Sequence, residues 1–111
     1  MYDEEIEKIV LYYLIFEKEE LNVNENDFFF QKNKQIAKAI SELKSKKQEI
    51  NILSIKKEIK GKDTDILKYI SIIAESRFGS SIEYAYKELK RLSKKRKLLE
   101  LSKEIQKNIE E

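Results

Sequence analysis

No proline and only two glycines interrupt the 111 residues of this chain. A β-sandwich or β-barrel needs turns rich in glycine and proline about every 8–12 residues, whereas long stretches here contain neither residue. Charged residues make up 40% of the chain and hydrophobic residues 41%, a balance typical of helical proteins rich in Lys, Glu, Leu and Ile. The sequence therefore predicts an all-α fold.

The chain contains no histidine and no cysteine, which excludes the usual zinc sites, disulfides, thiol nucleophiles and histidine general bases. Gly61 and Lys62 resemble the end of a phosphate-binding loop, in which backbone amides and a lysine surround phosphates. However, Lys56 occupies the position of the loop's first glycine, and Asp63 stands where the loop requires serine or threonine. We therefore predict no catalytic residue, no cofactor and no metal site in this chain.

Apolar residues spaced three and four apart predict successive amphipathic helices. The first is predicted over residues 3–17, the second from residue 27 to about Lys47, and a short third helix ends at Gly61. Residues able to cap the starts of the second, third and fourth helices are, in order, Asp27, Ser54, and Asp63 or Thr64. Phe29 is expected on the buried side of the second helix. The predicted core consists of Ile9, Tyr13, Ile36, Ile40, Ile70 and Ile73.

The last break falls at residues 78–81, and an uninterrupted helix is predicted from there to the end of the chain. An average globular helix has about 11 residues, so part of this much longer helix is expected to project from its own core. The predicted organisation is a single domain without an ATPase domain. It consists of a compact head of helices over residues 1–80, about five helices in all, and a long C-terminal helix over residues 81–111.

Apolar residues recur along the last helix at alternating spacings of three and four, which is the pattern of a seam that packs against another helix. The seam residues are Ile82, Ala85, Leu89, Leu92, Arg96 and Leu99. Arg96 interrupts the apolar pattern, so it is expected at the edge of the seam, or paired with a glutamate such as Glu100 or one from another chain. Two interpretations stay open: self-association through this seam, and packing of the seam on the same chain's head or on a further helix.

Charge is unevenly distributed along the chain. Residues 1–30 contain nine acidic residues and two lysines, and residues 31–62 contain ten lysines and three glutamates. Such asymmetry favours oriented association, although charged residues also simply solvate helix surfaces. A further basic segment, residues 90–97, lacks interleaved aromatic residues for stacking, so we expect at most weak, salt-sensitive contact with single-stranded DNA. Its candidate DNA contacts are Lys90, Arg91, Lys94, Lys95 and Lys97, and a solvated helix face is the alternative.

The chain shows no signal for membrane insertion or export. Its longest apolar run, residues 9–16, is far shorter than the roughly 20 residues that a membrane-spanning helix needs. Its acidic start, Met-Tyr-Asp-Glu-Glu, is unlike the basic start of a signal peptide. We therefore predict a soluble cytoplasmic protein without a membrane partner.

Several short motifs follow one another over nearly the whole chain. They are Glu-Lys-Ile-Val-Leu at 7–11, Asp-Phe-Phe at 27–29 followed by Ile36 and Ala39-Ile40, Ile-Asn-Ile-Leu-Ser-Ile at 50–55, Ile-Glu-Tyr-Ala at 82–85, and Lys-Arg-Lys-Leu at 95–98. In this order and spacing, the motifs resemble those of the N-terminal domain of the bacterial replicative DNA helicase of the DnaB type.

The resemblance implies an all-α head followed by a helical hairpin, of which the long C-terminal helix would be the first half. Such domains form a collar on the helicase ring, dimerise through the hairpin and receive primase, and a helicase loader is a further implied partner. The motor is a separate ATPase domain. The resemblance therefore implies that this chain is not an enzyme, although the full-length protein would be an ATP-dependent DNA helicase.

Two alternatives stay open. The helicase-binding C-terminal domain of a bacterial primase has a similar helical fold, and a free-standing helical adaptor encoded by a phage or plasmid would need no motor domain. The gene distinguishes them. An ATPase domain after Glu111 supports the helicase, a stop codon supports the adaptor, and a polymerase domain before Met1 supports the primase.

Overall fold

The computed structural model describes residues 1–59, 65–76, 78 and 80–110. Secondary structure in these residues is entirely helical, in the order α1 (Glu4–Ile15), a 3₁₀ turn (Glu25–Asp27), α2 (Gln31–Ser45), α3 (Ile52–Glu58), α4 (Asp65–Glu75) and α5 (Ile82–Glu110). The predicted all-α class is confirmed, as is the long last helix, which has 29 residues. The roles predicted for Gly61, Asp63 and Thr64 lie outside the described residues, and a domain boundary at residue 80 stays a prediction.

The helix α1 is central to the core, because it packs against α2, α4 and α5. Its N-cap is Asp3, whose side chain accepts a hydrogen bond from the backbone amide of Ile6 at 3.2 Å. Glutamates in its first turn add negative charge at the positive end of the helix dipole. Ile9, Val10 and Leu11 are all completely buried, so protein surrounds this helix on more than one side.

Five of the six predicted core residues are buried, namely Ile9, Ile36, Ile40, Ile70 and Ile73. The sixth, Tyr13, is half-buried and packs at the edge of the core. The prediction for Phe29 is wrong, because its side chain is 44% exposed. The helix α2 begins only at Gln31, so Phe29 lies in the preceding segment, and its neighbour Phe28 is the residue that is fully buried.

Two predicted helix caps are also wrong. The N-cap of α2 is Phe30, which makes no side-chain hydrogen bond to the helix, whereas Asp27 lies in the 3₁₀ turn and accepts from the Asn24 amide at 3.0 Å. The N-cap of α3 is Asn51, whose side chain accepts from the Ser54 amide at 2.8 Å. The Ser54 hydroxyl in turn accepts from the Asn51 amide at 2.9 Å. Ser54 is therefore the second member of a capping box rather than the cap itself.

The helix α5 extends beyond the body on which it packs. Residues 97–109 are all exposed, and the molecule measures 49 × 32 × 26 Å along its principal axes. A helix rises about 1.5 Å per residue, so this part of α5 extends for roughly 20 Å. We call residues 97–110 the arm, and the described residues up to 80, before α5, the head. None of the described helices is both long and apolar enough to cross a membrane.

Candidate interaction site on the last helix

The first half of α5 is buried within the chain itself. It packs on α1 and on the 3₁₀ turn. Ala85 and Leu89 are almost completely buried there, whereas Ile82 and Leu92 are half-buried. These four residues are the first part of the predicted seam, so this part of the seam packs on the same chain's head. Ala85 and Leu89 are consequently not accessible to a partner in this structure.

Asp27 connects α5 to the head through a buried carboxylate. Asp27 is 2% exposed, and its carboxylate accepts hydrogen bonds from Lys90 Nζ at 2.8 Å and from Ser93 Oγ at 2.9 Å. The backbone oxygen of the same residue accepts from Arg96 Nη2 at 2.9 Å. Because Lys90, Ser93 and Arg96 follow one another at spacings of three, they lie along one face of α5. These contacts fix both the rotation and the axial position of α5.

The charge of Asp27 follows from the same contacts. Burial on its own would raise the pKa of the Asp27 carboxyl. Hydrogen bonds from Lys90, from the Asn24 amide and from Ser93 outweigh burial, and they lower this pKa below its ordinary value of 3.8. Sequence reasoning missed this role because Ser93 is 66 residues away along the chain, and an aspartate in a loop is equally suited to capping.

Arg96 occupies the corner between α5 and the N-terminal segment. It is half-buried, and its Nη1 donates to the backbone oxygen of Met1 at 2.8 Å. Its Nη2 donates to the Asp27 oxygen, and its guanidinium carbon lies 5.9 Å from the ring centre of Phe29. Its hydrogen-bond partners are thus backbone oxygens rather than Glu100. A place for Arg96 in a seam between two chains stays a prediction.

A second buried carboxylate, that of Glu7, supports the start of α2. It accepts hydrogen bonds from the amides of Phe29 and Phe30, at 3.0 and 3.3 Å, and from Asn33 Nδ2 at 3.0 Å. Because α2 has no side-chain cap of its own, this carboxylate supplies negative charge at the positive end of its dipole. Sequence reasoning missed Glu7. Its place on an apolar face of α1, four residues before Leu11, indicates burial but not which groups the carboxylate contacts.

The same network continues to α4. The Asn33 side-chain oxygen accepts a hydrogen bond from the Tyr69 hydroxyl. Burial and the negative charge of Glu4 raise the pKa of Tyr69 to about 12, against the opposing effect of the Asn33 hydrogen bond. Tyr69 therefore stays neutral and able to donate at physiological pH. Glu7, Asn33 and Tyr69 together connect α1, α2 and α4 inside the head.

The arm carries an exposed apolar stripe on a face of α5 other than that of the predicted seam. We call it the distal stripe, and its members are Leu98, Leu101, Ile105 and Ile109. Each is more than half exposed, and their spacings of three and four place them on one face. Leu98 follows the buried Leu89 by about two and a half helical turns, so this distal stripe points away from the side on which the head packs. Leu99, the last residue of the predicted seam, continues the seam face rather than the distal stripe, and it is 41% exposed.

The family of the DnaB-like helicase N-terminal domain matches residues 1–91. The chain belongs to this family. The resemblance based on the order of short motifs is therefore confirmed. The matched residues include α1 to α4 and the first ten residues of α5. Neither a curated protein nor a solved structure matches the chain.

Within this DnaB-like domain, the residues that match the family and the residues of the arm do not overlap. The matched residues contain both buried carboxylates, Glu7 and Asp27, and they end at Arg91. The distal stripe, from Leu98 to Ile109, lies beyond them. The head therefore establishes the family, whereas the role of the arm has to be argued from its own exposed side chains.

The candidate DNA contacts in residues 90–97 do not form one free basic face. Lys90 pairs with Asp27 at 2.8 Å, and Arg91 pairs with Glu88 on the same helix. The remaining three candidates are exposed, namely Lys94, Lys95 and Lys97. Contact between this segment and single-stranded DNA stays a prediction, and these three lysines are the members available for it.

Proposed function

We propose that this chain acts as the non-catalytic N-terminal interaction domain of a replicative DNA helicase, supporting ring assembly and the recruitment of primase. Membership of the DnaB-like family favours a helicase domain over the helicase-binding domain of a primase. The observation that carries the proposal is the distal stripe, because it exposes apolar side chains on an arm whose base is fixed by Asp27. An apolar surface held in this way is suited to binding another protein.

The partner proposed for the distal stripe is the same stripe of a second copy. Charges of both signs flank it, because Lys97 and Glu104 lie beside Leu101 at helical spacings of four and three. Two arms can therefore lie side by side without repulsion between long blocks of like charge. The contacts at the base of the arm hold the stripe in one orientation, which lowers the entropic cost of association.

Self-association through the distal stripe is expected to be weak. Complete burial of a leucine or isoleucine side chain contributes about 1.5–3 kcal/mol, so eight half-exposed side chains from two copies contribute roughly 10 kcal/mol. Loss of translational and rotational freedom costs at least about 4 kcal/mol. At most roughly 6 kcal/mol remains, which corresponds to a dissociation constant no tighter than tens of micromolar.

Sedimentation velocity over a concentration series tests this association. Leu101→Glu places a negative charge in the distal stripe, and Gln106→Glu places the same charge about 140° around the helix as a matched control. The wild type and the Gln106→Glu variant should dimerise with rising concentration, whereas Leu101→Glu should stay monomeric. A wild type that is monomeric at several hundred micromolar would contradict self-association. A Leu101→Glu dimer would move the contact elsewhere, and Leu92→Glu would then test the predicted seam.

Primase recruitment needs its own test. Titration calorimetry of the chain with the helicase-binding domain of a bacterial primase should release or absorb heat at a defined stoichiometry, and no binding at high micromolar concentration would contradict this part of the proposal. The gene sequence after Glu111 separates the helicase from the free-standing adaptor. An ATPase domain in frame supports the helicase, and a stop codon supports the adaptor.

A further inference from the structure

A basic groove lies where α5 leaves the head. It has a volume of about 610 Å³, with α5 on one side and the start of α2 with the preceding segment on the other. Four positive side chains line it, those of Lys34, Arg96, Lys97 and Lys103. The one acidic side chain among its lining residues is that of Glu100. The lining of this groove is therefore strongly positive, and it is a site at which an anionic polymer could lie.

Exposed aromatic rings stand at the same groove. Phe29 lines it and stacks on Tyr2, with ring centres 4.2 Å apart and an interplanar angle of 5°. Phe29 is 44% exposed and Tyr2 is 54% exposed, and Phe30 packs edge-on against both rings. The Arg96 guanidinium lies 5.9 Å from the Phe29 ring centre and is held by two backbone oxygens. The rings and a fixed positive charge are thus preorganised side by side.

We infer that this groove binds single-stranded DNA, with phosphates along its lysines and a base stacked on the Tyr2–Phe29 pair. A positive groove combined with an aromatic platform is the usual arrangement for binding single strands without sequence preference. The basic segment 90–97 alone supplies no such platform, and its Lys94 and Lys95 do not line the groove. The site uses no residue of the distal stripe, so it does not depend on the proposed self-association.

The lysines are tested by the salt dependence of binding. A fluorescein-labelled oligothymidine of twelve nucleotides is titrated with the full chain from about 20 to 300 mM salt, and its anisotropy is recorded. Lys97→Ala with Lys103→Ala should weaken binding and flatten the slope of log affinity against log salt by about 1.4, since each lost phosphate contact removes about 0.7. The matched control, Lys94→Ala with Lys95→Ala, removes the same charge from the same helix and should leave the slope nearly unchanged.

The aromatic platform is tested by Phe29→Leu, which keeps an apolar side chain but removes the ring. Loss of one stacked base should weaken binding roughly 5- to 100-fold at every salt concentration without changing the slope. Circular dichroism confirms that the variant is folded, and Tyr2→Leu provides a second variant at an exposed position.

Three results would overturn the inference. The first is an unchanged anisotropy with about 100 µM wild type at low salt. The second is an equal loss of slope for the two lysine pairs, which would place the DNA on the outer face of α5. The third is an unchanged affinity for Phe29→Leu and Tyr2→Leu together with equal competition by polyglutamate, which would make the groove a site for acidic peptides.

Discussion

Replacement of Asp27 by alanine is expected to lower the free energy of unfolding by about 3 kcal/mol. The buried Ser93 hydroxyl loses its acceptor, which costs about 1–3 kcal/mol. The Asn24 amide loses a capping hydrogen bond worth about 1 kcal/mol. Lys90 has a side chain that is 36% exposed, so it regains water and adds less than about 1 kcal/mol.

Asparagine at position 27 separates the charge of this carboxylate from its hydrogen bonds. The amide keeps the shape of the side chain, and its oxygen can still accept from Asn24. The Ser93 hydroxyl can reverse its role and accept from the new NH₂ group, since a hydroxyl both donates and accepts. Asp27→Asn is therefore expected to cost only about 1 kcal/mol at neutral pH, well below the loss for Asp27→Ala.

The pH dependence of the Asp27→Asn effect has a defined sign. The folded-state pKa of Asp27 is lowered, so its charged form stabilises the fold above the ordinary pKa, and this contribution is lost as the pH falls through the folded-state pKa. The stability difference between wild type and Asp27→Asn should be complete above about pH 5 and shrink in stronger acid. Urea unfolding, followed by circular dichroism at several pH values, measures it. An Asp27→Ala variant as stable as wild type, or a difference that grows in acid, would refute this reasoning.

Three further predictions concern the core, the start of α2 and catalysis. Ile70→Ala should lower the free energy of unfolding in urea by about 2–5 kcal/mol, because it empties a fully buried position. A loss no larger than that of the exposed control Lys68→Ala would mean that Ile70 is not on the buried face of α4. Glu7→Ala should lower the free energy of unfolding by about 3 kcal/mol, because the Asn33 side chain and two amides before α2 lose their acceptor. Amide hydrogen exchange at the start of α2 should then accelerate, and unchanged protection there would contradict this role of Glu7. The chain should release no phosphate from ATP above a heat-inactivated control, since it lacks a phosphate-binding loop, and turnover above that control would contradict this expectation.

The limits of α1 and α5 can be predicted from the sequence because they depend on local signals. The range predicted for the first helix, 3–17, is close to the observed Glu4–Ile15, and the observed α5, Ile82–Glu110, begins where the last break ends. Apolar spacing and the absence of proline determine these helices whatever they pack against. The inward positions of Ile9, Ile36 and Ile70 follow from the same periodicity, and all three are completely buried.

The buried carboxylates could not be predicted in the same way, because their partners are distant in sequence. Asp27 has the local properties of a helix cap, yet Lys90 and Ser93 reach it from α5. Glu7 has the local properties of an acidic first-turn residue, yet its carboxylate accepts from groups at the start of α2, including the Phe29 amide. In both cases a tertiary contact, invisible in the local sequence, decides what the side chain does.

The division of α5 into a seam that packs on the head and an exposed distal stripe depends on where the head ends. The sequence alone does not indicate this point. The spacing of three and four runs through Leu99, so it predicts one continuous seam. Leu92 is still half-buried, whereas Leu99, on the same face of α5, is 41% exposed. The four residues of the distal stripe lie on a different face. Similarly, Phe29 comes to lie against Arg96 only through folding. An aromatic platform beside a basic segment was therefore not apparent from residues 90–97 alone.

Pairing of the arms is tested most directly by the distance between spin labels on two copies. Because the chain contains no cysteine, Ser102→Cys carries a single label near the middle of the arm and beside the distal stripe. Arms that pair along the stripe, in either direction, bring the backbones at residue 102 within about 20 Å of each other. Double electron–electron resonance should then give a Ser102→Cys distance below about 30 Å, including the label linkers, and a longer distance for Lys44→Cys in the head. No dipolar coupling between Ser102→Cys labels above the dissociation constant, or a distance as long as that for Lys44→Cys, would show that the arms do not pair.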